Sequence, residues 1–279
     1  LIETGIGAAV IALEDPDPRV SGAGIKRLED AGIKVSVGIC EDEARTLNAG
    51  YLMRVTQGRP LITLKTATTL DGRVATAKGQ SKWITGAPAR AFAHGLRADH
   101  DAIMIGIGTA LADEPALTCR LPGLEERSPM RIVADSRLRL PADSRLAKTA
   151  NQVTTWVVTT AGSAGAKRKA LEDKGVEVIE AETGADGRPD LDWLAAEFGR
   201  RGLTRGRVGS GQPEPARGLL AHLDLADLAG DGHRELVHEQ HVARDLVVRE
   251  LAVGVRTNRG GVELGSAGLE LDPGAQLLA

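Results

Sequence analysis

Residues 63–85 read TLKTATTLDGRVATAKGQSKWIT, and they decide the fold. The segment LITLKTAT, starting at Leu61, is rich in aliphatic and β-branched residues and predicts a strand. It runs into a polar loop that carries Lys65, an Asp-Gly turn at Asp71 and Gly72, and Trp83. The chain has only three Trp and one Tyr. An indole in so polar a loop either plugs a gap in the core or walls a site for a flat ligand. Next, TGAPARAFAHGLRAD has helical spacing, with Thr85 placed to cap the helix and Pro88 in its first turn, where proline is tolerated. DAIMIGIG then predicts a short buried strand. Strand, loop, helix and strand in this order are the repeating unit of an α/β sheet.

Working downstream, TALADEPALTCR is a loop or short helix, and RIVADS and VTTWVVTT are further strands. AKRKALEDKG, VEVIE and LDWLAAEFGRRG add a helix, a strand and a helix. Residues 60–205 thus form one α/β unit of about five strands alternating with helices. Upstream, residues 6–13 predict a strand and DPDPRVSGAG a turn, because each proline fixes φ and the glycines permit positive φ. GIKRLEDAG predicts a helix ending at Gly32, IKVSVGI a strand, and EDEARTLNAGYLMRV a single helix with acidic residues in its first turn. GRP at 58–60 separates this piece from the larger unit.

The 279 residues carry a net charge of −3, so no nucleic-acid footprint is indicated. No apolar run approaches the roughly 20 residues of a membrane span, and no signal peptide is apparent. The start at Leu1, inside an element, reads as truncated. Cys40 and Cys119 lack CxxC spacing, which argues against a disulfide framework or structural zinc and makes a cytoplasmic location the default.

From Gly206 the composition changes. The last 74 residues contain no Lys, Ile, Met, Cys, Phe, Tyr or Trp, yet hold four of the six His. Such a segment has little apolar surface with which to offset chain entropy. Residues 206–279 therefore read as an atypical tail, either frame-shifted or disordered, with a helical accessory region as the alternative. HEQH at 238–241 lacks the spacing of a zinc-binding HExxH.

Lys65, the Asp-Gly turn, S-x-W-I-T at 81–85, HGLRADHDAIMIGIGTALADEPALTCR and RIVADSR together resemble the reductase domain of the bifunctional riboflavin-biosynthesis deaminase/reductase family. The resemblance runs in register from Pro60 to Ser136 and more loosely to Arg205. It implies an α/β, dihydrofolate-reductase-like domain at 59–205. Residues 1–58 would be the C-terminal remnant of a cytidine-deaminase-like α/β domain and its linker.

The reaction so implied is NADPH-dependent reduction of 5-amino-6-(5-phosphoribosylamino)uracil to its ribitylamino product, in a homodimer. By the same resemblance Lys65 is the candidate to polarise the reacting centre. Ser81, Arg97, Leu117 and Arg120 would hold the substrate, the two arginines offering fixed N–H donors to its phosphate. Ala67, Trp83, Thr109, Asp113 and Ser136 would line the NADPH site. Taken singly, each also has a structural reading: a solvated strand lysine, a half-buried indole, a helix-capping Asp113, ordinary surface arginines.

Neither the His-x-Glu nor the Pro-Cys-x-x-Cys of a zinc deaminase is present, so neither deamination nor zinc is expected. After Arg205 the family's strand and Val-Glu-Gly-Gly loop are expected, but the chain reads GRVGSGQPEPARG. That departure leaves two alternatives open: an inactive α/β fragment, or a dihydrofolate-reductase-like enzyme with another pyrimidine or pterin substrate.

Overall fold

The computed structural model describes residues 1–67, 75–78, 84–160, 162 and 165–209, without the Thr66 side chain. Beyond these it describes only the backbone of three short strands at 237–238, 256–258 and 261–263.

Residues 1–58 form a small layer. β1 (Ala8–Ile11) and β2 (Lys34–Val37) pair in parallel through the crossover helix α1 (Ala23–Asp30). The single helix expected next is two, α2 (Glu41–Leu47) and α3 (Ala49–Gln57), parted at Asn48. The break has a physical cause. Arg205 Nη2 donates to the carbonyl of Leu47 at 2.9 Å and reaches that of Thr46 at 3.4 Å, taking acceptors that a continuous helix would use itself. A Cβ on Gly50 would lie 2.7 Å from the Thr204 carbonyl, so glycine there lets α3 approach the larger unit.

That unit is one seven-stranded sheet, ordered β7-β6-β5-β4-β8-β3-β9, in which every pair is parallel. Its strands are β3 (Leu61–Thr66), β4 (Ala102–Gly106), β5 (Met130–Ala134), β6 (Thr155–Thr160), β7 (Glu177–Ala181), β8 (Arg205–Gly209) and β9 (Val237–His238). The intervening helices are α4 (Ala87–Ala98), α5 (Ile107–Asp113), α6 (Arg145–Lys148), α7 (Gly165–Glu172) and α8 (Leu191–Arg200). A separate antiparallel pair joins β10 (Arg256–Asn258) to β11 (Gly261–Glu263).

β8 is the main departure from expectation. Residues 206–209, grouped with the tail on composition, complete a strand inserted between β3 and β4. The strand expected after Arg205 is therefore present, over Arg205–Gly209. Asp101 fixes its start. The Asp101 carboxylate accepts from the Thr204 and Arg205 backbone N–H groups at 2.6 and 2.9 Å and from the Thr204 hydroxyl at 2.7 Å. Burial opposes ionisation of this carboxyl, but these hydrogen bonds outweigh it and hold its pKa below the ordinary value.

Alternation along each strand divides the core into two layers. Ile103, Ile105, Val133 and Val157 face α5, α6 and α7 through Ala110, Leu146 and Leu171. Met104, Ile132, Trp156 and Val158 face α8 through Leu194 and Phe198. Gly199 makes the second layer tight, because a Cβ there would meet the Gly58 carbonyl at 1.9 Å. Arg131, 1 % exposed, has no acidic partner among the described residues; it is capped by Thr155 Oγ1, Thr149 Oγ1 and the carbonyls of Leu146, Thr149 and Val153. Its burial depresses its pKa to about 10.

Candidate functional site

Chain order reverses at the middle of the sheet. Strands β4 to β7 step outward on one side, while β3 lies on the other with β8 between. Such a switch point leaves a crevice at the carboxyl ends of the strands, where open α/β sheets bind their ligands. Lys65 is the last but one residue of β3, and Ala67 follows it. Thr109 and Asp113 lie on α5, which begins directly after β4, and Ser136 follows β5. Lys65, Ala67, Thr109 and Ser136 are thus at or just past carboxyl ends, and Asp113 closes α5, seven residues beyond β4. The Ser136 carbonyl accepts from the Thr160 hydroxyl at 3.0 Å, and the buried Asp135 carboxylate accepts from the Leu140 N–H at 2.8 Å, which fixes this turn.

Register shows which sheet face matters. Thr63 is opposite Arg207 on β8, and Arg207 Nη1 donates to the Ala93 carbonyl of α4 at 2.9 Å. The Thr63 hydroxyl bonds His100 Nε2, just after α4, at 2.9 Å. Thr63 therefore points toward α4. Lys65, two residues on, points to the same face.

On that face α4 presents His94 and Arg97, one helical turn apart. Arg97 Nη1 donates to the Thr118 carbonyl at 2.9 Å and lies 3.4 Å from His94 Nδ1. The Arg120 N–H donates to His94 Nδ1 at 3.1 Å, and Arg120 Nη2 lies 3.4 Å from Nε2. Cys119 seals the contact, its thiol donating to the His94 carbonyl at 3.3 Å. The loop holds this shape through left-handed backbone at Glu114 and Leu117, with φ of 42° and 57°. Burial first, then Arg97, Arg120 and Arg207, push the His94 pKa down to about 4. A neutral imidazole among three guanidinium groups is a concentrated cation site, suited to an oxyanion.

The predicted residues thus fall into two groups. Arg97 and Arg120 meet at His94, with Leu117 buried beneath them in the first core layer. Lys65, Ala67, Thr109 and Ser136 each lie at or just past a strand end, with Asp113 at the far end of α5; Thr109 is buried and Asp113 is exposed. Arg97, in the last turn of α4, lies toward the opposite end of that helix, on the sheet face it shares with Lys65. Ser81 and Trp83 lie outside the described residues. Gly86, not Thr85, takes the cap position of α4, and Pro88 is in the first turn as expected. The Thr85 carbonyl instead accepts from Arg90.

Sequence reasoning missed two residues of this arrangement. The spacing of His94 and Arg97 was a usable signal, since residues three apart share a helix face. Arg207 gave none, because its segment read as tail.

A profile of the RibD C-terminal domain matches residues 60–205. The RibD riboflavin biosynthesis protein of Aquifex aeolicus is 42% identical over 179 residues, covering 64% of this chain and 49% of that protein. The Bacillus amyloliquefaciens RibD is 41% identical over 204 residues, covering 71% and 53%. The chain therefore spans about half the length of the curated relatives it matches.

Among solved structures, Acinetobacter baumannii RibD superposes with a TM-score of 0.67 at 32% identity, covering 79% of this chain and 59% of that one. A Thermotoga maritima protein, named as a diaminohydroxyphosphoribosylaminopyrimidine deaminase and 5-amino-6-(5-phosphoribosylamino)uracil reductase, superposes with a TM-score of 0.65 at 30% identity, covering 79% and 58%. The parallel α/β sheet expected from the resemblance is the sheet of these reductase structures. With more than half of its residues matched by that profile, the chain belongs to the RibD C-terminal domain family.

Proposed function

We propose that this chain reduces the ribosyl group of 5-amino-6-(5-phosphoribosylamino)uracil to ribityl, using NADPH, in riboflavin biosynthesis. The observation that carries this reading is the meeting of Arg97 and Arg120 at a neutral His94, on the sheet face that Lys65 shares. A phosphorylated sugar needs a fixed cationic anchor at one end and an electrophilic assist at the other. Arg97 and Arg120 grip the phosphate, Ser81 and Leu117 border the substrate, and the Lys65 ammonium polarises the sugar carbon.

NADPH, when bound, supplies the hydride. The chemistry of these residues fits a dinucleotide: the hydroxyls of Thr109 and Ser136, the exposed carboxylate of Asp113 and the small Ala67 would line the switch-point crevice, where Trp83 would add a flat wall. Residues 59–209, with β9 added to their sheet, then form the reductase unit, 1–58 the end of a deaminase domain without its zinc ligands, and the remainder of 210–279 a segment of atypical composition. This reading implies a cytoplasmic homodimer; among the described residues no helix is long and apolar enough to cross a membrane.

Absorbance of NADPH, followed with the full chain and with phosphorylated and dephosphorylated aminouracil in parallel, tests the reading. Oxidation is expected with the phosphorylated compound. Arg97→Met is expected to raise KM roughly tenfold to a hundredfold with kcat little changed, as for lost uniform binding to a charged group. Equal turnover of both compounds would favour a reductase of another pyrimidine or pterin. No oxidation and no NADPH binding would make the chain an inactive fragment, the reading its lack of Val-Glu-Gly-Gly favours.

A further inference from the structure

The tautomer of His94 follows from its partners. Its Nδ1 receives the Arg120 N–H at 3.1 Å and faces Arg97 Nη1 at 3.4 Å. Two donors aimed at one ring nitrogen require a lone pair there, so the proton of the neutral ring sits on Nε2. That Nε2–H then faces another donor, Arg120 Nη2, at 3.4 Å. Donor against donor is unfavourable until an acceptor with spare lone pairs comes between them. Among the described residues the charged groups that bear on the ring, Arg97 from α4, Arg120 from the loop after α5 and Arg207 from β8, are cationic, and the carbonyl acceptor beside it, Thr118, already takes Arg97 Nη1. The acceptor that satisfies such a set is an oxyanion.

We propose that His94 is a third donor of this anion site, its Nε2–H binding the phosphate monoester of the substrate together with the guanidinium groups of Arg97 and Arg120. The inference rests on the function proposed above for the identity of the occupant. It adds a division of labour within one ring: Nδ1 holds the Arg120 loop in place, and Nε2–H touches the ligand. As a neutral donor, His94 adds a hydrogen bond without a third full charge beside two arginines, which limits repulsion when the site is empty.

Two replacements separate the two jobs. Asparagine places an acceptor near the Nδ1 position and no donor at Nε2; glutamine reaches the Nε2 position with an N–H donor. Isothermal titration of the full chain with ribose 5-phosphate, and with ribose as control, supplies the readout. Wild-type protein is expected to bind the phosphate ester and not the free sugar. His94→Asn is expected to weaken binding about tenfold, the scale of one hydrogen bond to a charged partner, and His94→Gln to recover most of it.

Arg97→Met distinguishes the failures. If His94→Asn binds as wild type while Arg97→Met loses binding, the His94 proposal falls and the phosphate site stands. If both bind as wild type, or the wild type binds no ester, the site itself is misassigned and the proposal falls with it. If His94→Gln is as weak as His94→Asn, the ring acts only by packing and the donor role is overturned.

Discussion

The two parts of this molecule are built from the same parts list with opposite results. Residues 1–58 contain a parallel strand pair and three helices, yet their buried apolar side chains are Leu28 and Ile33 alone. Leu47 is 77 % exposed and Val10 65 %. In the sheet at 60–209 comparable side chains, such as Val133, Val157 and Val158, are wholly inaccessible. A pair of strands has two faces and one helix to cover them, whereas the larger sheet has helices on both faces and buries its strands between them. The small layer holds together by leaning on the large one, through Arg205 on the α2 carbonyls and Gly50 against Thr204. Burial, not propensity, makes one region a core and the other an appendage.

The widest break in this comparison comes from paired truncations. Leu146→Ala, at a site 1 % exposed between β5 and α6, is expected to destabilise the chain by about 2–5 kcal/mol in urea unfolding, from lost transfer energy and the cavity left behind. Val10→Ala, two-thirds exposed on the small layer, is expected to cost under ~0.5 kcal/mol. Equal losses would mean that something covers β1 in solution. A smaller effect sharpens the hinge between the regions. Arg205→Met keeps the aliphatic stem and removes the donor to Leu47, so a loss of about 1 kcal/mol is expected. It should appear in hydrogen exchange as faster amides in α2 and α3, with β4 and β5 unchanged. Uniform acceleration across both regions would show a single cooperative unit instead.

Legibility in the sequence follows the same division. Five strands were readable because β-branched and aliphatic runs such as VTTWVVTT have few other uses. The break at Asn48 was not, because it depends on Arg205, more than 150 residues away. β8 was hidden for a related reason: Arg-Gly-Arg-Val-Gly carries no apolar alternation. It becomes a strand because β3 and β4 pair with it on both sides and Asp101 caps its entry. At the site, Arg97 and Arg120 were legible through linked motifs, and their meeting is observed. His94 was visible only as a helix-face neighbour. Arg207 was lost with the segment mistaken for tail.

The smallest expected effect concerns pH and again separates the two regions. His100 is buried between α4 and β3, its Nδ1–H donating to the Leu96 carbonyl and its Nε2 accepting from Thr63. Its hydrogen bonds do not forbid a second proton, because the Thr63 hydroxyl can turn and accept. Burial opposes it first, and the Arg207 and Arg205 charges add to that, so the folded pKa lies below the ordinary 6.5. Burial first, then the Arg97, Arg120 and Arg207 charges, hold His94 at about 4. In the unfolded chain both rings titrate near 6.5, so between that pH and their folded values the unfolded state binds more protons. Their contribution is therefore complete above pH 6.5 and is lost as the pH falls toward 4. Urea midpoints measured from pH 7.5 to 5 should decline for the wild type and decline less for His100→Gln. The amides of α1, which faces neither ring, should show no such pH-linked loss beyond that of global unfolding. A wild-type midpoint that rises on acidification would mean that these rings are charged in the fold, and would remove the neutral His94 on which the anion site depends.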